Sequence, residues 1–222
     1  GVRRGERISM WLPSRVESVV TLLACSRNGY VCNPSMHQNY TTGEVLQLLD
    51  RVQCRVLLAQ SGYGADAGRR DLFAEAAQLA GMRRVYRLAS RGESAPGFGG
   101  HAFPPPGPAL PPSLPPDLNP DKITYLAFTS GTTGTPKGVM HSDNTLLANG
   151  RAMVRDWKHD ANTVLLSLSP TSHHIATVGL AQALVAGFEM VLNDLPPGSD
   201  VIDRLIETGA TYVMGVPTHA ID

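Results

Sequence analysis

Ile123-Thr124-Tyr125-Leu126-Ala127-Phe128-Thr129-Ser130-Gly131-Thr132-Thr133-Gly134-Thr135-Pro136-Lys137-Gly138 reads as an apolar strand over 123–128 that runs straight into a loop of small and hydroxylated residues. Three glycines, four threonines, one serine and one lysine fall within 129–138. Glycines let the backbone turn so that several N–H groups converge, the hydroxyls add donors, and Lys137 supplies a full charge. These are the donors a polyphosphate needs, and they act most strongly where charge gathers on a departing pyrophosphate. Walker A spacing is excluded: Pro136 precedes Lys137 where that pattern requires glycine, and Gly138 stands in place of its Ser or Thr. A plain connector between strand and helix has no use for so many donors.

Outward from this loop, strand and helix patterns alternate. Toward the N-terminus, a strand is expected at 8–12, then a helix with Val16, Val19, Val20 and Leu23 on one apolar face. A short strand at 30–32 ends at Asn33-Pro34. Thr41 and Glu44, three apart, form a capping box ahead of a helix carrying Val45, Leu48, Leu49 and Val52. A buried strand at 55–60, a helix at 71–79 and a strand at 84–88 follow. From 90 to 120 the pattern gives way to Gly and Pro, including Phe103-Pro104-Pro105-Pro106 and Leu110-Pro111-Pro112, the composition of a surface connection. Beyond the loop, a helix carries Leu146, Leu147, Met153, Val154 and Trp157, and then strand 164–168, helix 178–185, strand 189–192, helix 201–206 and strand 211–214 alternate. The fold class is therefore α/β with largely parallel sheets layered with helices. Its expected organisation is a first α/β portion at 1–89, the connection at 90–120, and a phosphate-loop portion at 121–222.

The 222 residues are 42% hydrophobic, enough for a sizeable core. Lys plus Arg number 19 and Asp plus Glu 19, so no global field favours nucleic acid or an anionic membrane. Any nucleotide must be held locally. Cys25, Cys32 and Cys54 are widely spaced in apolar surroundings, which suits buried, reduced thiols rather than a disulfide framework or a zinc cluster. No stretch approaches the roughly 18 apolar residues of a membrane span, and the leading residues are charged, unlike a signal peptide. Without a secretion signal the sequon Asn39-Tyr40-Thr41 carries no weight. A cytoplasmic protein with no nucleic-acid or integral-membrane partner is expected.

The run Tyr125 to Ser142, with its Thr129–Gly138 core, resembles the signature of the AMP-binding, adenylate-forming superfamily, to which acyl-CoA synthetases, peptide-synthetase adenylation domains and luciferases belong. Gly5-Glu6-Arg7-Ile8 and Leu12-Pro13-Ser14 resemble that family's early "G-D-R-V" strand and "L-P-N-S" turn, with Glu6 and Ser14 as departures. Gly29 to Pro34 is similar to its "G-A-x-x-x-P" segment, Pro170-Thr171-Ser172-His173 to its "P-x-F-H" segment with Ser172 in place of the aromatic, and Val213 to Thr218 to a later "V-P-T".

The resemblance implies ATP-dependent activation of a carboxylic acid to an acyl-adenylate with release of pyrophosphate, followed by transfer to CoA. ATP, Mg²⁺ and CoA are the implied cofactors and co-substrates, and a small-molecule carboxylic acid is the remaining partner, in fatty or aromatic acid metabolism. Thr129, Ser130, Gly131, Thr132, Thr133, Gly134, Thr135 and Lys137 are the implied phosphate-binding residues. Lys137 and His173 are the implied catalytic ones, with His173 beside the acyl pocket. No metal-ligating set is expected, because the adjacent His173 and His174 point apart on any regular element. The family's "Y-G-x-T-E" segment, ribose-binding acid, hinge and C-terminal domain are not found before Asp222, so the chain is expected to be part of the large N-terminal domain and inactive alone.

Two other classes compete. Gly62-Tyr63-Gly64-Ala65-Asp66-Ala67 follows the 55–60 strand and matches a dinucleotide pattern, the mark of a nicotinamide-dependent oxidoreductase. Arg87 near the end of the next strand replaces the expected ribose-binding acid, and the helix starts late, so the segment reads better as a turn. The other is a non-catalytic nucleotide-binding module. No G-x-S-x-G elbow supports a serine hydrolase.

Overall fold

The computed structural model describes residues 1–90, 101–102 as backbone only, 115–129, 136–195 and 198–216. Chain order begins β1 (Arg7–Trp11), α1 (Val16–Asn28), β2 (Val31–Asn33), α2 (Thr42–Arg51), β3 (Cys54–Gln60), α3 (Leu72–Ala77), β4 (Arg84–Leu88) and β5 (His101–Ala102). It continues with β6 (Ile123–Thr129), β7 (Lys137–Ser142), α4 (Asp143–Trp157), β8 (Val164–Ser167), α5 (His174–Ala186), β9 (Glu189–Leu192), α6 (Val201–Thr208) and β10 (Tyr212–Met214).

A seven-stranded sheet has the order β5-β4-β3-β1-β2-β6-β7, and a three-stranded one β10-β8-β9. Every pairing is parallel except β6 with β7. The predicted α/β class therefore holds. Strands before and after the Pro/Gly-rich connection share one sheet, since β6 pairs with β2. Within that connection the short β5 extends the sheet beside β4, a strand absent from the sequence reading. Phe103 to Pro106 and Leu110 to Pro112 lie outside the described residues.

The large sheet is buried on both faces, as period-two alternation requires. Trp11, Leu57 and Ala59 face one core with Val45, Leu48 and Leu49 of α2. Ile8, Met10, Val56 and Leu58 face the other with Cys25 of α1. All three cysteines are free and buried. The capping box of α2 forms as expected: Glu44 N–H donates to Thr41 Oγ1 at 3.3 Å, and Glu44 Oε2 accepts from Thr41 N–H at 2.8 Å. Glu6, where the family pattern has aspartate, spans Arg83 at 2.9 Å and Arg55 at 3.3 Å. The Arg3 N–H bonded to it, then the two guanidiniums, hold its carboxyl below the ordinary value.

Two expectations need correction. Val16, Val20 and Leu23 of α1 are exposed, while Ser18, Thr21 and Cys25 face inward. Small polar residues tolerate this burial because they find partners: Thr21 Oγ1 donates to Glu17 O, and Ser18 Oγ accepts from Thr171 Oγ1. The loop after β6 also leads not directly to a helix but back along β6 as β7, in register from Thr129 opposite Lys137 to Tyr125 opposite His141. The Gly62–Ala67 pattern occupies turns, and no helix opens on its glycines; α3 starts only at Leu72. Gly64 has φ +117, and a Cβ there would lie 2.4 Å from the Trp11 ring, so close packing against the core accounts for it.

The small sheet has its own core of Leu165, Val178, Ala183, Phe188 and Met214. Helices α4 and α5 cross where Gly150, the buried residue of α4, meets the Ala181 backbone; a Cβ on Gly150 would stand 2.9 Å from Ala181 C. Gly150→Leu is expected to destabilise the fold by about 1–3 kcal/mol through overpacking, even though leucine favours helix over glycine by close to 1 kcal/mol. Denaturant unfolding at equal protein concentration measures it.

Candidate active site

Parallel strands send their carboxyl ends to a common edge, where ligands of open α/β sheets bind. A cleft of about 760 Å³ lies there. Ser35, His37 and Tyr40 enter it from the segment after β2, Tyr63 from the turns after β3, Phe128 and Thr129 from the end of β6, His141 from β7, and Ser172, His173 and His174 from the segment after β8. The cleft thus draws on both sheets. Thr171 N–H donates to Ser14 Oγ at 3.0 Å, fastening the β8 segment to the turn after β1.

The root of the glycine- and threonine-rich loop is held by a buried polar chain. Phe128 N–H donates to Ser35 Oγ at 2.7 Å, Ser35 Oγ donates to Asn33 Oδ1 at 3.0 Å, and Asn33 Nδ2 donates to Ser9 Oγ at 3.3 Å. Ser35, Asn33 and Ser9 are each no more than 1% exposed. On the outside, Arg51 of α2 donates to Pro136 O at 2.5 Å and places its guanidinium over the Phe128 ring, 5.9 Å from its centroid. Both stems are therefore clamped, one to the segment after β2 and the other to α2.

Of the residues singled out from sequence, Thr129 and His173 line the same cleft. Lys137 is exposed and sits opposite Thr129 on the antiparallel partner strand, with Thr129 Oγ1 donating to Lys137 O at 3.5 Å. Ser130, Gly131, Thr132, Thr133, Gly134 and Thr135 lie outside the described residues, as do Pro217 and Thr218 of the late segment. His37, His141, Ser35 and Arg51 were missed. Position was the available signal for His37 and Ser35, which immediately follow a parallel strand's carboxyl end.

Four imidazoles stand in two stacked pairs. The His37 and His173 rings are 4.2 Å apart at 28°, and those of His141 and His174 are 4.8 Å apart at 12°. Burial, and then the neighbouring His173, pulls the His37 pKa down from 6.5 to about 4. Burial followed by His141 lowers that of His174 as well. Like-charged neighbours and lost water both penalise the cation, so the His37 ring is neutral near pH 7.

Two outcomes follow from this geometry. Ser35→Ala leaves the buried Phe128 N–H unpaired, at a cost of about 1–3 kcal/mol; denaturant unfolding and faster amide exchange at Phe128 measure it. The depressed His37 value also fixes a sign: the unfolded ring binds its proton near 6.5 and the folded ring only near 4. The stability this represents is whole above the unfolded value and is lost as pH falls through that window. His37→Phe is expected to flatten the acid limb of the stability–pH curve, read by urea unfolding at stepped pH.

Known proteins agree with this architecture. The chain aligns with the medium-chain fatty-acid–CoA ligase of Escherichia coli strain K12 at 22% identity, over 100% of this chain and 39% of that protein. It aligns with the p-hydroxybenzoic acid–AMP ligase of Mycobacterium marinum at 27% identity, over 98% of this chain and 28% of that protein. The crystal structure of apo MatB from Rhodopseudomonas palustris superposes with a TM-score of 0.73 at 27% identity, covering 98% of this chain and 40% of that one. The chain thus spans well under half the length of these relatives. The family model described as "AMP-binding enzyme" matches residues 1–222, and the chain belongs to that family.

Proposed function

We propose that the protein carrying this chain activates a carboxylic acid with ATP and passes the acyl group to the thiol of CoA. In the first step a carboxylate oxygen bonds to the α-phosphorus as the bond from that phosphorus to the pyrophosphate oxygen breaks, giving acyl-adenylate and pyrophosphate. In the second, the thiol sulfur bonds to the acyl carbon and AMP leaves. The observation that carries the reading is the hairpin of β6 and β7, which sets Thr129 opposite Lys137 and opens at the cleft that also holds His173.

Each residue then has a role the chemistry requires. Thr129, Ser130, Thr132, Thr133 and Thr135 supply hydroxyl or backbone donors to the β- and γ-phosphates, and Gly131 and Gly134 allow close backbone approach. Lys137 stabilises the negative charge that grows on pyrophosphate as it leaves. His173 orients the carboxylate. Mg²⁺ would enter with the nucleotide as part of the substrate. In this reading a first α/β portion at 1–89 and a phosphate-loop α/β portion at 121–222, joined by the 90–120 connection, form part of one large N-terminal AMP-binding domain.

The complete reaction is assigned to a protein of the relatives' full length, with this stretch inactive by itself. A cytoplasmic location belongs to the same reading and is supported by three free, buried thiols. No helix among the described residues is long and apolar enough to cross a membrane.

Carboxylate-dependent exchange of labelled pyrophosphate into ATP is the direct test, run on the whole protein with a panel of fatty and aromatic acids. Lys137→Ala is expected to lower the exchange rate by about 10²–10³-fold, the scale for losing one charge-stabilising group. A Lys137→Ala variant exchanging at the parental rate would remove Lys137 from the mechanism.

A further inference from the structure

Arg51 is the last residue of α2 and is itself exposed, yet its backbone is held from both sides. Behind it, Val45, Leu48 and Leu49 of the same helix are buried in the core that also takes Phe128. Ahead of it, Arg7 of β1 donates from Nε to Val52 O at 2.5 Å. Core packing and this hydrogen bond fix where the Arg51 side chain sets out relative to the large sheet.

That side chain reaches both strands of the hairpin. Nη1 donates to Pro136 O at 2.5 Å, and the guanidinium carbon stands 5.9 Å from the centroid of the Phe128 ring. Phe128 precedes Thr129 on β6, Pro136 precedes Lys137 at the start of β7, and Thr129 and Lys137 are register partners. One planar group thus meets the residue before each member of that pair, which a guanidinium can do because it donates in its plane and offers a face to a ring. β7 has need of such a grip. It is the edge strand of its sheet, and Lys137, Gly138, Val139 and Met140 are all exposed.

We infer that Arg51 is a positioning residue for adenylation: by holding Pro136 O and the Phe128 ring at once, it sets where Lys137 leaves the backbone and so where the ammonium meets the departing pyrophosphate. The inference rests on the proposed role of Lys137. Arg51 acts through Lys137 and not on the phosphate, since its guanidinium is already engaged by a carbonyl and a ring. A cation aimed at charge that grows only in the transition state works by being in place beforehand, and a misplacement near 1 Å costs up to about a hundredfold. Its contribution therefore belongs in kcat and not in the ground-state binding of ATP.

The test uses the whole protein and measures acid-dependent pyrophosphate exchange for wild type, Arg51→Ala, Arg51→Lys, Lys137→Ala and the double variant Arg51→Ala/Lys137→Ala. Arg51→Ala is expected to lower kcat by on the order of tenfold while KM for ATP stays close to its wild-type value. Arg51→Lys keeps a charge and a donor for Pro136 O but loses the planar stack; it is expected to lose about threefold, and it carries the test if Arg51→Ala fails to fold. In the Lys137→Ala background, removing Arg51 is expected to change the rate by less than about twofold, because the group it places is gone. Amide hydrogen exchange over 137–140 should quicken in Arg51→Ala, and the Phe128 ring-proton resonances should move.

A parental rate in Arg51→Ala overturns the positioning role and leaves the adenylation reading standing. So does a full multiplicative loss in the double variant, or a rise in KM for ATP that Arg51→Lys reverses completely, since either makes Arg51 a phosphate contact in its own right. A Lys137→Ala variant at the parental rate overturns it as well. A wild type without acid-dependent exchange overturns the adenylation reading, and the inference with it.

Discussion

A parallel sheet covered by helices on both faces leaves only the ends of its strands for chemistry, and every strand must end at the same edge. This constraint sets the rest of the molecule. β1, β2, β3 and β6 run in one direction, so the segments that follow them converge without any device to bring them together. Buried Ser9 in the middle of β1 and Asn33 at the end of β2 then have a use: the chain from Phe128 N–H through Ser35 and Asn33 to Ser9 crosses three neighbouring strands just below the cleft. In that position, apolar residues would pack, but they would leave the Phe128 amide unpaired where the strand pairing stops.

The second sheet is joined by a different kind of contact. Around residues 170–172 the joints all use a hydroxyl: Ser14 Oγ to the Thr171 backbone, Ser18 Oγ to Thr171 Oγ1, and Ser172 Oγ to the His37 imidazole. Small side chains allow a close approach, and their directional bonds fix the register of the loop more tightly than apolar contact does. The same logic explains why α1 turns Ser18 and Thr21 inward and leaves Val16 and Val20 exposed.

That inversion marks the limit of what the sequence could disclose. Element type was legible wherever a period was strong: β4 and β9 fall where alternation puts them, and the α2 capping box forms from Thr41 and Glu44 as their spacing requires. The inward face of α1 was not legible, because its choice depends on Thr171, some 150 residues away. Nor was β7, since Lys137 to Ser142 is a sparsely apolar, exposed edge strand whose partner, β6, alone makes it a strand. At the site, Thr129 and Lys137 announced themselves by composition. His37 did not, because a histidine in a polar segment has no local pattern, and its place in the cleft, stacked on the His173 ring, appears only in the fold.

The even balance of acids and bases gives the charges near the loop unequal tasks. With 19 of each sign there is no long-range field to gather a polyanion, so attraction must come from groups within a few ångströms. Two cations stand at the stems of the hairpin. Arg51 is committed to Pro136 O and the Phe128 ring, where a planar guanidinium can bond and stack at once. Lys137 is exposed at the first position of β7, carrying a compact charge on a flexible stem, suited to following a phosphate whose charge moves during reaction. An arginine at 137 would keep the charge but replace that mobile ammonium with a rigid fork, while a lysine at 51 would lose the stack that steadies Phe128. In the proposed reaction the two positions call for cations of different kinds, because Arg51 fixes the stem of the hairpin at Pro136 and Phe128 while Lys137 would follow the phosphate.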